Sequence, residues 1–167
     1  DDVVALAKYS AETDIPLIPR GAGSSVCGQP IGRGLVVDCS RYLRSIEALN
    51  DVTVRVQPGV TREELNRVLK PYGRYFPPDP ANAAVTTIGG MLAVDAAGSR
   101  SVRIGSARDH VRSIEMVVPG GHCLDLGTES LDVLKTVPQE VVVGRCLGEL
   151  CDRMRTSRTG EQWGEAR

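Results

Sequence analysis

The chain has 167 residues, 41% of them hydrophobic, which is enough for one domain with a proper core and excludes a disordered polymer. Its formal net charge is -1 and aromatics make up 4%, so it has neither the positive field nor the stacking platforms of a nucleic-acid surface. With so few aromatics, the core must be built from Val, Ile, Leu and Ala.

Asp1 and Asp2 lead into an amphipathic pattern (Val3, Leu6, Ala7, Ser10), which predicts a helix over 2–12 with its acidic start favoured by the helix dipole. Residues 15–19, Ile-Pro-Leu-Ile-Pro, are short, apolar and extended, because each proline disfavours helix in the residue before it. A glycine-rich loop follows from Gly21 to Gly34, and then Leu35-Val36-Val37-Asp38, which reads as a buried strand. Helix, strand, loop and strand in this order predict a small α/β unit, with the loop leaving the carboxyl end of a strand, where open α/β sheets bind ligands.

Residues 45–49 and 52–57 alternate apolar and polar, as half-buried antiparallel strands do, with a turn at Asn50-Asp51 and a stop at Pro58-Gly59. The next helix is well marked. Thr61 is its N-cap, Glu64 completes a capping box, Val60 and Leu65 are spaced for a hydrophobic staple, and Gly73 closes it as a left-handed cap. Residues 76–84 carry three prolines and cannot be regular structure. A further helix is predicted to open at Thr86-Thr87-Ile88-Gly89-Gly90 and to run to Ala97, with Gly98 as its stop. Residues 113–118 and 122–126 form a hairpin around Pro119-Gly120-Gly121, suited to a type II turn. Val143, Leu147, Leu150 and Met154 share one helical face, predicting a helix over 139–155 and a frayed polar end beyond Ser157.

The five cysteines (Cys27, Cys39, Cys123, Cys146, Cys151) include no CxxC, and no signal peptide precedes them, so a reducing, cytoplasmic setting is expected. They read as small buried apolar residues rather than as a metal or iron–sulfur site. No run reaches the length of a membrane-spanning helix. The absence of an initiator Met leads us to expect a start inside a larger protein.

Two clusters carry chemistry. The first is Arg20-Gly21-Ala22-Gly23-Ser24-Ser25, continuing to Gly28-Gln29. Glycines one residue apart let successive backbone N–H groups converge into a nest for phosphate oxygens, and the serine hydroxyls add donors; a purely structural turn is the alternative. The second is Thr87-Ile88-Gly89-Gly90, where glycines inside a helix start cost about 1 kcal/mol each relative to Ala. Either a ligand approaches the N–H groups there or the helix packs tightly on its neighbours. No Lys follows the glycines, so this is no Walker loop, and the sixth position from Gly21 is Val26, so GxGxxG fails too. Arg20 is open between a phosphate contact and a structural salt bridge. His110 reads as a loop-ordering residue, His122 as exposed, and Asp79, among prolines, as a turn-former.

Seven ordered blocks now identify a resemblance over residues 2–127: Pro-Leu-Ile-Pro-Arg-Gly-Ala-Gly-Ser-Ser (16–25), Gly34-Leu-Val-Val-Asp38, Val56-Gln-Pro-Gly59, Pro77-Pro-Asp-Pro80, Thr87-Ile-Gly-Gly-Met91, Ala97-Gly-Ser99, and Gly105 with Arg108-Asp109-His110. The chain resembles the FAD-binding domain of the vanillyl-alcohol oxidase/p-cresol methylhydroxylase superfamily, in its glycolate oxidase and D-lactate dehydrogenase branch. The resemblance implies an α+β fold, with a small parallel α/β subdomain and a larger, mainly antiparallel sheet flanked by helices. It implies an FAD-binding domain over 1–127, and the helical spacing noted above makes 128–167 a helical tail, expected to lead to a cap domain that is not in the chain.

By position, the resemblance implies that Arg20 to Ser25, Gly28 and Gln29, with Thr87 to Gly90, hold the FAD pyrophosphate. Pro78, Asp79, Ala97 and Gly98 would lie along the cofactor, and Gly105 and Ile114 near its flavin or adenine ends. Relatives that attach FAD covalently use a His directly after the second glycine; Ser24 stands here, which implies non-covalent FAD. The family often has Asn where Val94-Asp95 stand and Tyr where Ile104 stands, so Asp95 must point away from phosphate to avoid repulsion. The implied activity is oxidation of a 2-hydroxy acid to the 2-keto acid by hydride transfer to FAD, with the catalytic base in the cap. Implied partners are a small-molecule substrate, the cap and an electron acceptor such as an iron–sulfur domain, with the full protein cytoplasmic or peripheral to the inner membrane. The alternatives are an FAD-dependent alcohol or sugar oxidase of the same fold, a non-catalytic flavin-carrying subunit, or a scaffold that has lost FAD.

Overall fold

The structure is a computed structural model that describes residues 1–48, 50 and 52–127. The helix expected over 139–155, Cys146, Cys151 and the tail lie outside the described residues. The described chain forms two compact units: residues 1–14 with 112–127, and residues 15–111.

In the first unit, α1 (Asp2–Thr13) packs against β5 (Ser113–Val118), which pairs antiparallel with β6 (His122–Gly127) from Ser113↔Gly127 to Val118↔His122. The turn follows its composition: Gly121 N donates to Val118 O at 3.0 Å and Gly120 has φ 84°, as a type II turn requires. Val118 is buried between Met116 and Leu124. The helix α1 thus belongs to the same unit as the hairpin and contacts β5.

The second unit begins with β1 (Leu17–Arg20) and β2 (Leu35–Asp38), paired in parallel in register Leu17↔Leu35 to Arg20↔Asp38. The parallel strands appear where the sequence places them. Burial differs from expectation: Leu35 is 38% and Val36 40% exposed, because this is a two-stranded sheet among the described residues and β2 lies at an edge. The strands β3 (Ile46–Ala48) and β4 (Val54–Val56) form an antiparallel pair whose turn is held by Asn50 Oδ1, accepting from Val52 N and Thr53 N at 2.9 Å each. The antiparallel part among the described residues is therefore two separate two-stranded ladders.

The helix α2 (Arg62–Leu69) carries the full capping box: Thr61 Oγ1 accepts from Glu64 N at 3.2 Å and Glu64 Oε2 accepts from Thr61 N at 3.0 Å. A 3₁₀ turn (Lys70–Tyr72) continues it to Gly73, at φ 64°, where Arg74 N returns to Leu69 O. Thr61→Ala is expected to destabilise this unit by about 1 kcal/mol, read as a lower thermal midpoint in circular dichroism; an unchanged midpoint would show the cap to be idle.

The helix α3 (Ile88–Ala93) is shorter than the expected run to Ala97. It ends in a Schellman motif: Asp95, at φ 47°, donates its N–H to Leu92 O, and Ala96 N reaches back to Met91 O at 2.7 Å. Asp95 therefore fills the left-handed position usually given to glycine, and Gly98 is not the helix stop. Two short elements without a clear sequence signal follow, α4 (Ser101–Ile104) and a 3₁₀ turn (Ala107–His110). The core of this unit is Val60, Leu65, Ile88, Met91 and Ala107, with Ile46, Val54, Val56, Leu69 and Phe76 packed around it. Met91, fully buried at its centre, joins the expected aliphatic set. Among the described residues no helix is long and apolar enough to cross a membrane.

Candidate functional site

The two glycine-rich clusters meet. A methyl group on Gly21 would overlap the Thr87 Oγ1, so the loop leaving β1 rests directly on the residue that caps α3. Thr87 is 3% exposed, the buried polar residue at the centre of this contact. Its backbone is fixed on several sides. Thr61 and Thr87 form a bridge, Arg62 N donates to Thr86 O at 3.0 Å, and Ile88 N donates to Val60 O at 2.7 Å. The N-termini of α2 and α3 are thus laced together by backbone bonds, and the loop is seated against that rigid edge.

The loop itself is left with unused donors. Among the described residues, the amides of Gly21, Ala22, Gly23, Ser24 and Ser25 make no hydrogen bond. Gly23 sits at φ 70°, a conformation that L side chains rarely adopt, and Ala22, Gly23 and Ser24 are exposed. Ser25 Oγ is tied to Gln29 Oε1, and Gly28 N returns to Ser25 O at 3.3 Å, closing the far side of the loop. A short row of free N–H groups beside a buried hydroxyl, on an exposed loop with no carboxylate in it, suits a phosphate-bearing ligand. Arg20 makes no ion pair among the described residues; its stem lies 3.5 Å from where a Gly23 side chain would start.

At the start of α3 the outcome is different. Ile88 N is taken by Val60 O, Gly89 N by Pro58 O at 2.9 Å, and Gly90 N by Thr87 Oγ1 at 3.3 Å. A methyl on Gly89 would lie 2.5 Å from Pro58 Cβ. The glycine there answers tight packing, and these amides are committed to the protein. The donors available to a ligand are those of the loop, with Thr87 as its support.

Asp79 and Gly98 also come together, with Pro78 and Ala97 beside them in the chain. Gly98 lies against the Asp79 carbonyl and carboxylate, leaving no room for a side chain. Pro78 is fully buried, and Arg62 Nε donates to its carbonyl. Arg100 Nε donates to Asp79 Oδ2 at 2.8 Å. The hydrogen bond from Arg100 holds the Asp79 carboxyl below the ordinary aspartate range, against the opposing effect of desolvation. Asp79 is thus the ion-pair partner of Arg100 as well as part of a proline-rich bend. Sequence reasoning missed both Arg62 and Arg100, whose partners lie 16 and 21 positions away with no local signal joining them.

Asp95 points to Arg108: its Oδ1 accepts Arg108 N at 3.0 Å and its Oδ2 the guanidinium. The Arg108 backbone bond, followed by Ser106, lowers its pKa. Gly105, at φ 77°, has its Cα against the Asp109 carboxylate, which accepts Ser106 N at 2.7 Å. His110 Nε2 lies 2.8 Å from Ile104 O and its ring meets Phe76 edge-on at 6.0 Å, the ordering role expected of it; His122 is exposed. Ile114 lies on β5 in the other unit, 39% exposed. Cys27 and Cys123 are exposed and Cys39 is half-buried, so the first two are not the buried apolar residues expected; burial raises the Cys39 pKa. Among the described residues no group of His, Cys, Asp and Glu could hold a metal ion.

Comparisons with known proteins identify the family. The chain is 32% identical over 163 residues to D-2-hydroxyglutarate dehydrogenase of Escherichia coli, covering 94% of this chain and 16% of that protein. It is 37% identical to the mitochondrial D-lactate dehydrogenase [cytochrome] of Arabidopsis thaliana, covering 72% of this chain and 22% of that protein. It is 30% identical to the glycolate oxidase subunit GlcD of Bacillus subtilis, over 76% of this chain and 28% of that protein. Among solved structures, alkyldihydroxyacetonephosphate synthase superposes with a TM-score of 0.64 at 26% identity, covering 76% of this chain and 24% of that one. The chain therefore spans between about a sixth and just over a quarter of the length of these relatives. The model of the FAD binding domain family matches residues 1–127, and the chain belongs to the FAD-binding domains of the p-cresol methylhydroxylase type, with FAD as cofactor.

Proposed function

We propose that this chain holds FAD non-covalently and that the complete protein oxidises a 2-hydroxy acid to the 2-keto acid. The observation that carries the reading is the row of unbonded amides from Gly21 to Ser25 seated on buried Thr87. In this reading those N–H groups, with the Ser24 hydroxyl, bind the pyrophosphate. Arg20, Gly28 and Gln29 complete the loop around it, and Ile88, Gly89 and Gly90 support it through α3. Pro78, Asp79, Ala97 and Gly98 form a wall along the cofactor, and Gly105 and Ile114 serve its ends. Ser24 offers no ring nitrogen for a covalent bond, which supports non-covalent binding.

When bound, FAD supplies a two-electron acceptor for hydride, and the protein contributes binding, orientation and electrostatics. The names of the relatives support a 2-hydroxy acid as the substrate class. Neither histidine is placed as a general base, since His110 is engaged by Ile104 O and Phe76 and His122 is exposed on the hairpin. We place the base and the substrate contacts in a cap domain of the complete protein, and electron transfer in a further domain such as an iron–sulfur module.

The test is a visible absorption spectrum of the purified chain with added FAD, followed by acid precipitation. Bound flavin released quantitatively by acid is the expected result. Flavin retained in the pellet would overturn the non-covalent reading, and no uptake by either the chain or the complete protein would overturn FAD binding altogether.

A further inference from the structure

The strap over residues 77–80 cannot hold itself in place. Three of its residues are prolines with no N–H to donate, and among the described residues the Asp79 amide makes no hydrogen bond. Its anchors are side chains from elsewhere in the unit. Asn66 Oδ1 accepts Phe76 N at 2.6 Å just before it, Arg62 Nε takes the Pro78 carbonyl, and Arg100 Nε takes Asp79 Oδ2 at 2.8 Å.

The Asp79 carboxylate shows how much rests on one of these. Its Oδ1 is buried and has no hydrogen-bond partner, so Arg100 satisfies the charged group through the other oxygen. Gly98 is packed directly against both Asp79 oxygens, O and Oδ1, so displacement of Asp79 displaces Gly98 with it. Arg100 stands on the turn into α4, which begins at Ser101, while Arg62 is the first residue of α2. The two guanidiniums therefore tie the strap to two different helices.

We propose that Arg100 and Arg62 are positioning residues of the cofactor site: they fix the Pro77–Pro80 strap, through Asp79 and Pro78, so that the cofactor-lining wall is formed before FAD binds. This rests on the reading that Pro78, Asp79, Ala97 and Gly98 line FAD. Without the Arg100 side chain, a carboxylate with one oxygen already buried and unbonded keeps only the Arg100 backbone N–H as a donor, and hydrating it further requires the strap to swing outward and release Gly98. A wall that must be reassembled on binding costs affinity, which preorganisation avoids.

The test uses the 167-residue chain and three readouts: FAD affinity by flavin fluorescence, the FAD dissociation rate, and the melting midpoint without FAD. Arg100→Met is expected to weaken FAD binding about tenfold, chiefly through faster dissociation, as contacts that preorganise a site act on the off-rate. Asp79→Asn should do the same, and the double variant should be no weaker than Arg100→Met alone, since both remove one interaction. Arg62→Met should accelerate dissociation as well, whereas Arg103→Met, an exposed neighbour on α4, should bind as wild type.

Wild-type affinity and dissociation in Arg100→Met would overturn the proposal, as would effects of Asp79→Asn and Arg100→Met that multiply in the double variant. If Arg100→Met does not fold, Arg100→Lys decides: it keeps the charge but not the planar Nε–H donor, and full affinity in it would overturn the proposal. If Gly21→Ala loses FAD while Arg100→Met keeps it, the FAD reading stands and this inference alone fails. If the wild-type chain and the complete protein take up no FAD, both fall.

Discussion

Gly21→Ala is expected to reduce FAD affinity by about tenfold to a hundredfold, a loss set by overpacking a tight contact at about 1–3 kcal/mol. The added methyl would overlap Thr87 Oγ1 and lie 3.1 Å from Thr87 Cγ2. Thr87 cannot retreat, because it is 3% exposed and its neighbours Ile88 and Gly89 donate to Val60 O and Pro58 O. The loop must move instead, and it carries the free amides. The effect should therefore fall on binding, with only a small change in the melting midpoint without FAD. Adding Thr87→Ala to Gly21→Ala removes the obstructing hydroxyl and should recover part of the affinity while costing the α3 cap about 1 kcal/mol. Titration with FAD checks both variants. Wild-type affinity in Gly21→Ala would show that the loop does not bind the cofactor in this geometry.

The largest expected effect on stability is at Gly59. A methyl there would overlap the Cys39 carbonyl oxygen and lie 2.7 Å from Leu43 O. Both obstacles are backbone, so no change of rotamer relieves them. Gly59 N also donates to Leu43 O at 2.8 Å, so the strain opens a bond that joins the segment after β2 to the end of β4. Val60, the next residue, is 1% exposed and belongs to the core. Gly59→Ala is expected to cost about 3 kcal/mol or more, the upper range for overpacking, and to lower the thermal midpoint by more than about 10 °C. Calorimetry or circular dichroism reads this directly, and a midpoint within about 2 °C of wild type would refute the packing argument.

Features built from near neighbours were legible in the residues. The capping box at Thr61 and Glu64, the closure at Gly73, the Asn50 turn and the Gly120 turn all appear as expected. Each involves groups a few positions apart, whose side-chain chemistry competes directly for adjacent backbone donors and acceptors. The helix α3 shows where this runs out. Thr87 opens it as its type and place suggest, but it stops at Ala93 because Asp95 takes the left-handed position and turns its carboxylate to Arg108, thirteen residues on. An aspartate there gives no sign in sequence of its partner. For the same reason, the glycines at 89 and 90 could not be assigned from sequence between ligand approach and packing; Pro58 settles Gly89, and Thr87 occupies the Gly90 amide.

By itself the sequence determined the family and the cofactor class, through the ordered blocks that resemble that family, and the strands, the capped helix and the two glycine-rich clusters, because spacing and local hydrogen bonding are properties of residue order; α4 and the 3₁₀ turn at Ala107–His110 gave no such signal. Only the tertiary structure decided that Gly21 rests on Thr87, that the loop amides are free while those of α3 are committed, and that Arg62 and Arg100 hold the strap. It also decided that Leu35, Val36, Cys27 and Cys123 lie exposed, and that α1 packs on β5. The physical reason is common to all of these. Burial and long-range pairing depend on which surfaces the folded chain brings together, and the same apolar or charged residue serves equally well in several such arrangements until packing selects one.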